Sequence, residues 1–512
     1  MNSYDFIMAL VPIILIIIGL GIIKKPAYYV IPASLITTVT IVIFYKNLGI
    51  VNTSLAMFEG ALMGIWPIAA VIIAAIFTYK MSEDQKDIET IKNILSNVSS
   101  DKRIIVLLVA WGFGNFLEGV AGYGTAVAIP VSILIAMGFE PFFACLICLI
   151  MNTSSTAYGS VGIPIISLAQ ATNLDVNILS SKIALQLILP TLTIPFVLVI
   201  LAGGGIKGLK GVFVLTLLSG MSMAISQVLI SRTLGPELPA ILGSILSMAI
   251  TIVYAKFFEN KDTKSHQNKS TIPLSKGIIA CSPYILIVVF IVLVSPLFSK
   301  IHEYLKTFQS TISIYPEANP LHFKWITSPG FLIIFATIIS YSIRGVPILK
   351  QLKIFTLTLK KMALSSFIII CIVAISRLMT HSGMIRDLAN GISIITGKFG
   401  PLFSPLIGTI GTFLTGSDTV SNVLFGPLQT QMAENIGTNP YWLAAANTTG
   451  ATGGKMISPQ NITIATTTAG LIGQEGKLLS KTIPYALYYI LATGLLVINY
   501  IFNYICSNIC SR

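Results

Sequence analysis

The chain has 512 residues, of which 54% are hydrophobic and 10% charged, with a formal net charge of +13 and a mean hydropathy of +0.86. Soluble domains carry about 25% charged residues, so these values exclude a soluble globular protein and point to an integral membrane one. The lysines are dispersed over short loops, as the positive-inside rule requires, and form no patch suited to nucleic acid.

The first apolar run, "FIMALVPIILIIIGLGII" (Phe6 to Ile23), holds about 18 residues, enough to cross a hydrocarbon core. It lacks the basic leader and small-residue cleavage site of a secretory signal, and Lys24 and Lys25 follow it. The expectation is therefore a first span and not a cleaved peptide. Starting outside, spans near 6–23, 28–45 and 57–78 bring the chain inside. Ile88, Ile91, Leu95 and Val98 then recur at helical spacing among charges, predicting a helix on the membrane surface.

Lysine and arginine clusters mark Arg103 and Lys207 as both inside, so the chain crosses an even number of times between them. Three apolar blocks fill the interval, at about 104–137, 142–170 and 179–202. Parity holds if the first block is a re-entrant hairpin. Spans near 212–231 and 235–256 precede the polar inside linker "ENKDTKSHQNKSTIPLSKG". Spans near 278–298 and 328–344 flank an outside loop with His302 and His322, and a span at about 362–379 leads outside. Blocks near 395–437, 441–470 and 483–505 repeat the order of hairpin, broken span and span. The expected fold is all-α and polytopic, with about twelve transmembrane helices plus two re-entrant hairpins. It divides into scaffold spans with a cytoplasmic surface helix (1–103), a first core (104–202), central scaffold spans with a linker at 257–276 (203–361), and a second core with a C-terminal span (362–512).

The two sets of blocks also match in sequence. "GNFLEG" (Gly114 to Gly119) answers "GTFLTG" (Gly411 to Gly416), and Pro130 and Pro427 each lie thirteen residues beyond the matching leucine. "MGFEP" answers "IGTNP", and "NTSSTAYGSVGIP" (Asn152 to Pro164) answers "NTTGATGGKMISP" (Asn447 to Pro459). The first copy starts inside and the second outside, so the halves are inverted repeats, the sequence pointer to a secondary transporter with its site at the midplane. Non-helical backbone survives at that depth only where it lines a cavity or is buried in protein. The two polar stretches are expected to interrupt their spans, with helix N-termini and softening glycines facing an anion. Tight packing of small residues is the alternative.

An ionisable residue at the centre of a span costs about 2.5–3.5 kcal/mol on insertion scales. Glu118 at the first hairpin tip, Asp418 at the second and Lys455 in the second broken span therefore stand out. Lys455 suits a bound carboxylate, with an ion pair to Asp418 or Glu118 as the alternative. Desolvation favours the neutral form of a carboxyl, which suits Glu118 and Asp418 to proton coupling; a fixed, hydrogen-bonded acid is the other reading. Arg377 is expected near the outer end of its span, snorkelling to the surface.

Other motifs fail. "GATGGKM" has Thr449 and Met456 where a phosphate loop needs Gly and Ser/Thr, and "GVAGYG" has the wrong spacing for a dinucleotide fingerprint. Cys145 and Cys148 lie in the apolar "FFACLICLIM", reading as buried thiols. The four histidines, His266, His302, His322 and His381, have no metal-ligand spacing and none lies near a motif, which argues against an intramembrane enzyme.

"FLEGVAGYG", "FLTGSDTVSN" and "AANTTGATGGKMISPQN" strongly resemble the bacterial L-lactate permease family along most of the chain. The resemblance implies proton-coupled symport of L-lactate, with D-lactate and glycolate as relatives, across the cytoplasmic membrane, on an ion-transporter fold of two inverted halves. Matching positions are Glu118, Gly119, Gly122 and Gly124 in the first hairpin, and Ser417, Asp418, Ser421 and Asn422 in the second. In the broken spans they are Asn152, Asn447, Thr448, Thr449, Lys455, Ser458 and Gln460. Hydroxyls and amides of both copies, Thr153 and Ser154 among them, would bind substrate, while Gly416, Gly450, Gly453 and Gly454 would soften the backbone. Where the family often reads G-F-G-A-P-V-A, this chain has "GYGTAVA", with Tyr123, Thr125 and Ala126, so substrate class is more secure than substrate identity. The implied partners are a small hydroxymonocarboxylate, protons and the lipid bilayer, with no cofactor, metal or nucleic acid. Oligomeric state stays open, a homodimer being one arrangement. A sodium-coupled or dicarboxylate carrier of the same architecture is the rival.

Overall fold

Apolar segments that must satisfy every backbone N–H and C=O internally fold as helices, and this protein is nearly all helix. The computed structural model describes residues 3–23, 25–96, 98–122, 124–258, 273–316 and 320–510. Lys24, Tyr123 and most of the expected linker, with His266, lie outside the described residues.

In chain order the helices are α1 (Tyr4–Ile22), α2 (Ala27–Phe44) and α3 (Ile50–Asp84). Next come α4 (Asp87–Ser96), α5 (Lys102–Val120) and α6 (Thr125–Ala136). They are followed by α7 (Pro141–Met151), α8 (Gly159–Thr172) and α9 (Val176–Ala202). The central part holds α10 (Phe213–Thr233), α11 (Pro239–Phe258), α12 (Leu274–Val294) and α13 (Ser299–Lys306). After a β-hairpin come α14 (Pro329–Ile343), α15 (Ile348–His381) and α16 (Met384–Thr396). The last five are α17 (Gly400–Thr415), α18 (Asp418–Asn435), α19 (Pro440–Lys455), α20 (Pro459–Ala469) and α21 (Glu475–Cys510).

Among the described residues ten helices are long and apolar enough to cross a membrane, or eleven when the bent pair α7–α8 counts as one. The expected twelve spans divide the same chain differently. α5 passes on length but is the first limb of a hairpin, α14 has 15 residues, and the 440–469 block splits into α19 and α20.

Both hairpins form. The chain turns at Ala121–Gly124 and comes back, so that the Lys102 ammonium at the start of α5 lies 5.8 Å from the ring of Phe139 beyond α6. α17 and α18 likewise fold back: Gln429 Nε2 near the end of α18 donates to Ser404 O near the start of α17 at 3.2 Å. The two hairpins start from opposite ends. At the first hairpin's end the basic loops gather, with Asp84 paired to Lys350 (2.6 Å) and Arg103 donating to Gly208 O and Lys210 O (2.7 and 2.8 Å). At the other end Lys46 bridges Asp5 and Asp387 (2.9 and 2.6 Å).

Two expectations change. α4 does not lie free on lipid: Ile91 and Leu95 are buried, and Asp87 at its start receives Arg344 (2.6 and 2.7 Å) and the Tyr341 hydroxyl (2.8 Å). The loop holding His302 and His322 contains α13 and a two-stranded antiparallel hairpin, β1 (Gln309–Ile312) with β2 (Leu321–Lys324), in register Gln309 to Lys324. Close approach of α3 to α15 depends on Gly60 and Gly64, where an added Cβ would lie 2.6 Å from Ala374 Cα and 2.8 Å from Ile370 Cα; this G-x-x-x-G spacing lets two membrane helices meet backbone to backbone.

Removing one partner of a buried ion pair costs about 3–5 kcal/mol. Asp87→Ala should therefore lower the thermal unfolding midpoint in detergent by several degrees, and Glu83→Ala, at a half-exposed pair, should leave it unchanged.

Candidate functional site

The polar motifs converge because each ends a helix at the same depth. Glu118 lies in the last turn of α5, and the following turn uses Gly122 (φ +60°) and Gly124 (φ +80°), conformations glycine adopts without penalty. Thr125 closes that turn, its hydroxyl donating to Gly122 O at 2.6 Å. The second hairpin turns at Gly416 (φ +71°), and Ser417 caps α18, its Oγ accepting from Val420 N at 3.4 Å. Asp418 opens α18, and Lys455 ends α19.

Between them is a cavity of about 320 Å³. Both hairpin tips and the first helix break line it, as do Lys455, Gln460 and Asn461 on either side of the second break. The Lys455 ammonium donates to Glu118 Oε1 at 2.7 Å, and both side chains are buried. Asp418 Oδ1 accepts from the Thr412 hydroxyl at 3.3 Å, while Glu118 Oε2 and Asp418 Oδ2 have no hydrogen-bond partner among the described residues. The N-termini of α18 and α20 face the cavity through Asp418 and through Gln460 and Asn461. Their free N–H groups and partial positive charge favour an anion there.

The first break is deep. α7 and α8 meet at 69°, and Ser160, Val161 and Gly162 are all left-handed (φ +46°, +58° and +77°). A β-branched residue in that region is strained. Ser160 is held by donating to Ala121 O at 3.0 Å. A Cβ on Gly159 would lie 2.7 Å from Glu118 Oε1, so the backbone must approach the carboxylate bare.

The second break corrects the sequence reading. Asn447 to Lys455 is unbroken helix, and the interruption is confined to Met456–Ser458, with Ser458 extended (φ −64°, ψ 128°). Gly450, Gly453 and Gly454 do not soften it. Added Cβ atoms there would strike Pro405 O, the Tyr489 ring and Thr409 O respectively. These glycines pack helices, and Thr409 Oγ1 donates to Gly450 O at 2.8 Å across the α17–α19 contact.

Of the residues singled out from sequence, Glu118, Gly124, Gly416, Ser417, Asp418, Lys455 and Gln460 line the cavity. The others stand behind it. Asn422 accepts at Oδ1 from Asn447 Nδ2 (3.0 Å) and the Thr448 hydroxyl (3.1 Å), and donates to Pro164 O (3.1 Å). Ser421 donates to Gly408 O (2.8 Å), and Thr449 to Gln186 Oε1 (3.1 Å) on α9. Asn152, Thr153 and Ser154 are buried within the first break, and Ser458 Oγ in the second has no hydrogen-bond partner among the described residues. Gly119 faces Ile241 and Gly122 faces Ser160.

Sequence reasoning missed Thr156, Ser365, Thr415, Thr419 and Asn461 on the cavity wall. Ser365 lies in an ordinary apolar span with no counterpart motif, so nothing marked it. Arg377 does not snorkel: it is 4% exposed and reaches Glu59 Oε1 at 3.3 Å, while His381 Nε2 lies 2.6 Å from Glu59 Oε2. Glu59, near the start of the expected 57–78 span and outside the matching motifs, was not singled out, and its partners are more than 300 positions away.

Gly159→Ala should disrupt the Glu118–Lys455 contact and lower both folded yield and unfolding midpoint. Gly476→Ala, where an added Cβ meets nothing within 4 Å, should be neutral or stabilise α21 by roughly 0.5–1 kcal/mol.

Comparison with known proteins extends over nearly the whole chain. The L-lactate permease family matches residues 5–505. An L-lactate permease from Streptococcus iniae is 43% identical over 86% of this chain and 94% of its own length. Glycolate permease GlcA from Escherichia coli K12 is 32% identical over 96% of this chain and 95% of its own, and the L-lactate permease of that strain is 30% identical over 96% and 94%. Among solved structures, the Alcanivorax borkumensis YdaH transporter aligns with a TM-score of 0.46 at 14% identity, over 86% of this chain and 87% of that one. On these matches along nearly its whole length, the chain belongs to the L-lactate permease family.

Proposed function

We propose that the protein is a secondary active transporter that carries L-lactate, and also D-lactate and glycolate, together with protons across the bacterial cytoplasmic membrane. The observation carrying this reading is the cavity with one lysine, two carboxyls and two helix N-termini. Its volume falls at the lower end for ligand pockets, suiting a small hydroxy acid. The names of the relatives, L-lactate permease and glycolate permease, support the substrate class.

Charge accounting supports coupling to protons. With both carboxyls ionised, Lys455 is outnumbered, and a bound monocarboxylate would leave two net negative charges in a desolvated space. Protonating one carboxyl as the anion arrives halves that net charge, and protonating both removes it. Glu118 already has Lys455 as its partner, whereas Asp418 has one long bond from Thr412 and an unpartnered Oδ2. We assign the transported proton to Asp418 and the orientation of Lys455 to Glu118. Lys455 and the Ser417 hydroxyl would take the substrate's carboxylate, and Ser160 Oγ, whose own proton goes to Ala121 O, would accept from its 2-hydroxyl. The opposed entry of the hairpins fits two inverted repeats, and a shift of the repeat-bearing helices against the remaining spans would alternate access.

Uptake of labelled L-lactate into proteoliposomes under an imposed pH gradient tests this. Accumulation should vanish when the gradient is collapsed. Accumulation that follows a sodium gradient, or competition by succinate or citrate, would favour the sodium-coupled or dicarboxylate carrier instead. Lys455→Ala should lower the initial rate about 10- to 100-fold, the range expected for a lost charge-assisted hydrogen bond. Asp418→Asn should still exchange lactate for lactate yet fail to concentrate it with the pH gradient; an unchanged pH-driven accumulation would remove Asp418 from the proton's path.

A further inference from the structure

The helices α8, α15 and α18 that line the central cavity also line a second one, of about 280 Å³, where their seam ends away from the basic loops. Thr172 on α8, Thr380 and His381 on α15, Thr430 and Gln431 on α18, and Arg386 in the first turn of α16 form its wall. On α15, Ile369 faces the central cavity and Thr380 the second, about 16 Å apart at 1.5 Å per residue. Arg377 closes the seam between them. Its guanidinium is held by Glu59 of α3 at 3.3 Å and reaches Gln170 O of α8 at 3.5 Å.

The chemistry of the second cavity is one-sided. Arg386 is exposed and has no hydrogen bond or ion pair among the described residues. His381 is engaged at Nε2 by Glu59 and stacked by Tyr315 at 3.7 Å, so its ring is fixed in place. Thr172, Thr380 and Thr430 donate to backbone carbonyls of their own helices and Gln431 Nε2 donates to Glu434 Oε2, so Arg386 is the wall's open charged donor, and no carboxylate is among the lining residues as described. A guanidinium so placed can hold a carboxylate through two parallel N–H bonds.

We propose that this cavity is a capture site for the same small carboxylate, bound through Arg386 at the mouth of the seam that Arg377 closes. The proposal rests on the transport reading for its ligand. A positively charged mouth raises the local concentration of anion, and the shared helices lead it to the central cavity.

The test is equilibrium binding of labelled L-lactate, glycolate and acetate to the purified full chain. The background is Lys455→Ala with Glu118→Gln, which removes the central lysine without stranding its carboxylate. One class of site should remain, and adding Arg386→Gln should weaken it about tenfold or more, whereas Arg386→Lys should retain most of the affinity. In otherwise wild-type protein Arg386→Gln should raise the KM for uptake from that face and leave the maximal rate unchanged. No binding in the Lys455→Ala/Glu118→Gln background, or binding and KM indifferent to Arg386→Gln, overturns the capture site. If lactate is not transported but glycolate or acetate still binds that background in an Arg386-dependent way, the capture site stands and the lactate reading falls.

Discussion

A lysine at the end of a helix deep inside an apolar protein must be answered by a carboxylate, and the Lys455–Glu118 pair meets that constraint across 337 residues of sequence. The pair ties the first hairpin tip to the end of α19. It also dictates its neighbours. Gly159 must be bare because its backbone passes beside Glu118 Oε1, and that passage brings the first helix break to the cavity. Asn461 Nδ2 donates to Lys455 O at 3.1 Å, capping α19 where the chain turns into α20. One ion pair thus fixes the relative depth of hairpin, break and helix end. The cavity exists because these three stop at the same level.

Much of this arrangement is legible in the sequence, for a physical reason. The all-helical membrane fold and its two fold-back segments follow from length and apolarity, and "GNFLEG" and "GTFLTG" mark the limbs that lead to the tips. Glu118, Asp418 and Lys455 stand out because charge is costly at that depth. What cannot be read is anything that depends on the partner. A glycine that softens a helix and one that admits a neighbouring helix are the same letter. Gly450 and Gly454 are of the second kind only because Pro405 O and Thr409 O lie against them. Asn422, Asn447 and Thr448 look like substrate ligands until their polar atoms are found bonded to one another and to the backbone of α8. The buried cluster of Glu59, Arg377 and His381 joins two spans with no motif, so its existence is a property of the packing.

The two breaks differ although their hydroxyls bond alike. In "NTSSTAYGS" Thr153 and Thr156 donate to Ile150 O and Asn152 O, three and four residues earlier, and in "NTTGATGGK" Thr449 and Thr452 donate to carbonyls three residues earlier (3.1 and 2.7 Å). The first helix nevertheless unwinds and re-forms only after three left-handed residues, while the second stays helical to Lys455. Contact with α17 then holds the helix closed. Val161 to Ile163 and Met456 to Ser458 occupy equivalent places in the two matching motifs, so the interruption common to both is short and lies at the lysine or its serine counterpart.

This distribution of soft and stiff backbone bears on how the cavity can open. The glycine-mediated contacts of α19 on α17 and of α15 on α3 bring backbones together, so a side chain cannot yield to let them slide. The non-helical joints are elsewhere: at Ala121, Gly122 and Gly124, at Asn152–Gly162, at Gly416–Ser417 and at Met456–Ser458. The first three contribute residues to the cavity wall, and the last lies between the wall residues Lys455 and Gln460. Rotation about any of them changes the direction of a whole helix while leaving its glycine-packed partner attached. The strain at Val161 is stored at one of these joints, so a conformation that relaxes it recovers free energy where the ligand would sit. Binding energy and backbone strain therefore act on the same few residues, and a small change in cavity charge can be converted into movement of helices that run the full thickness of the protein.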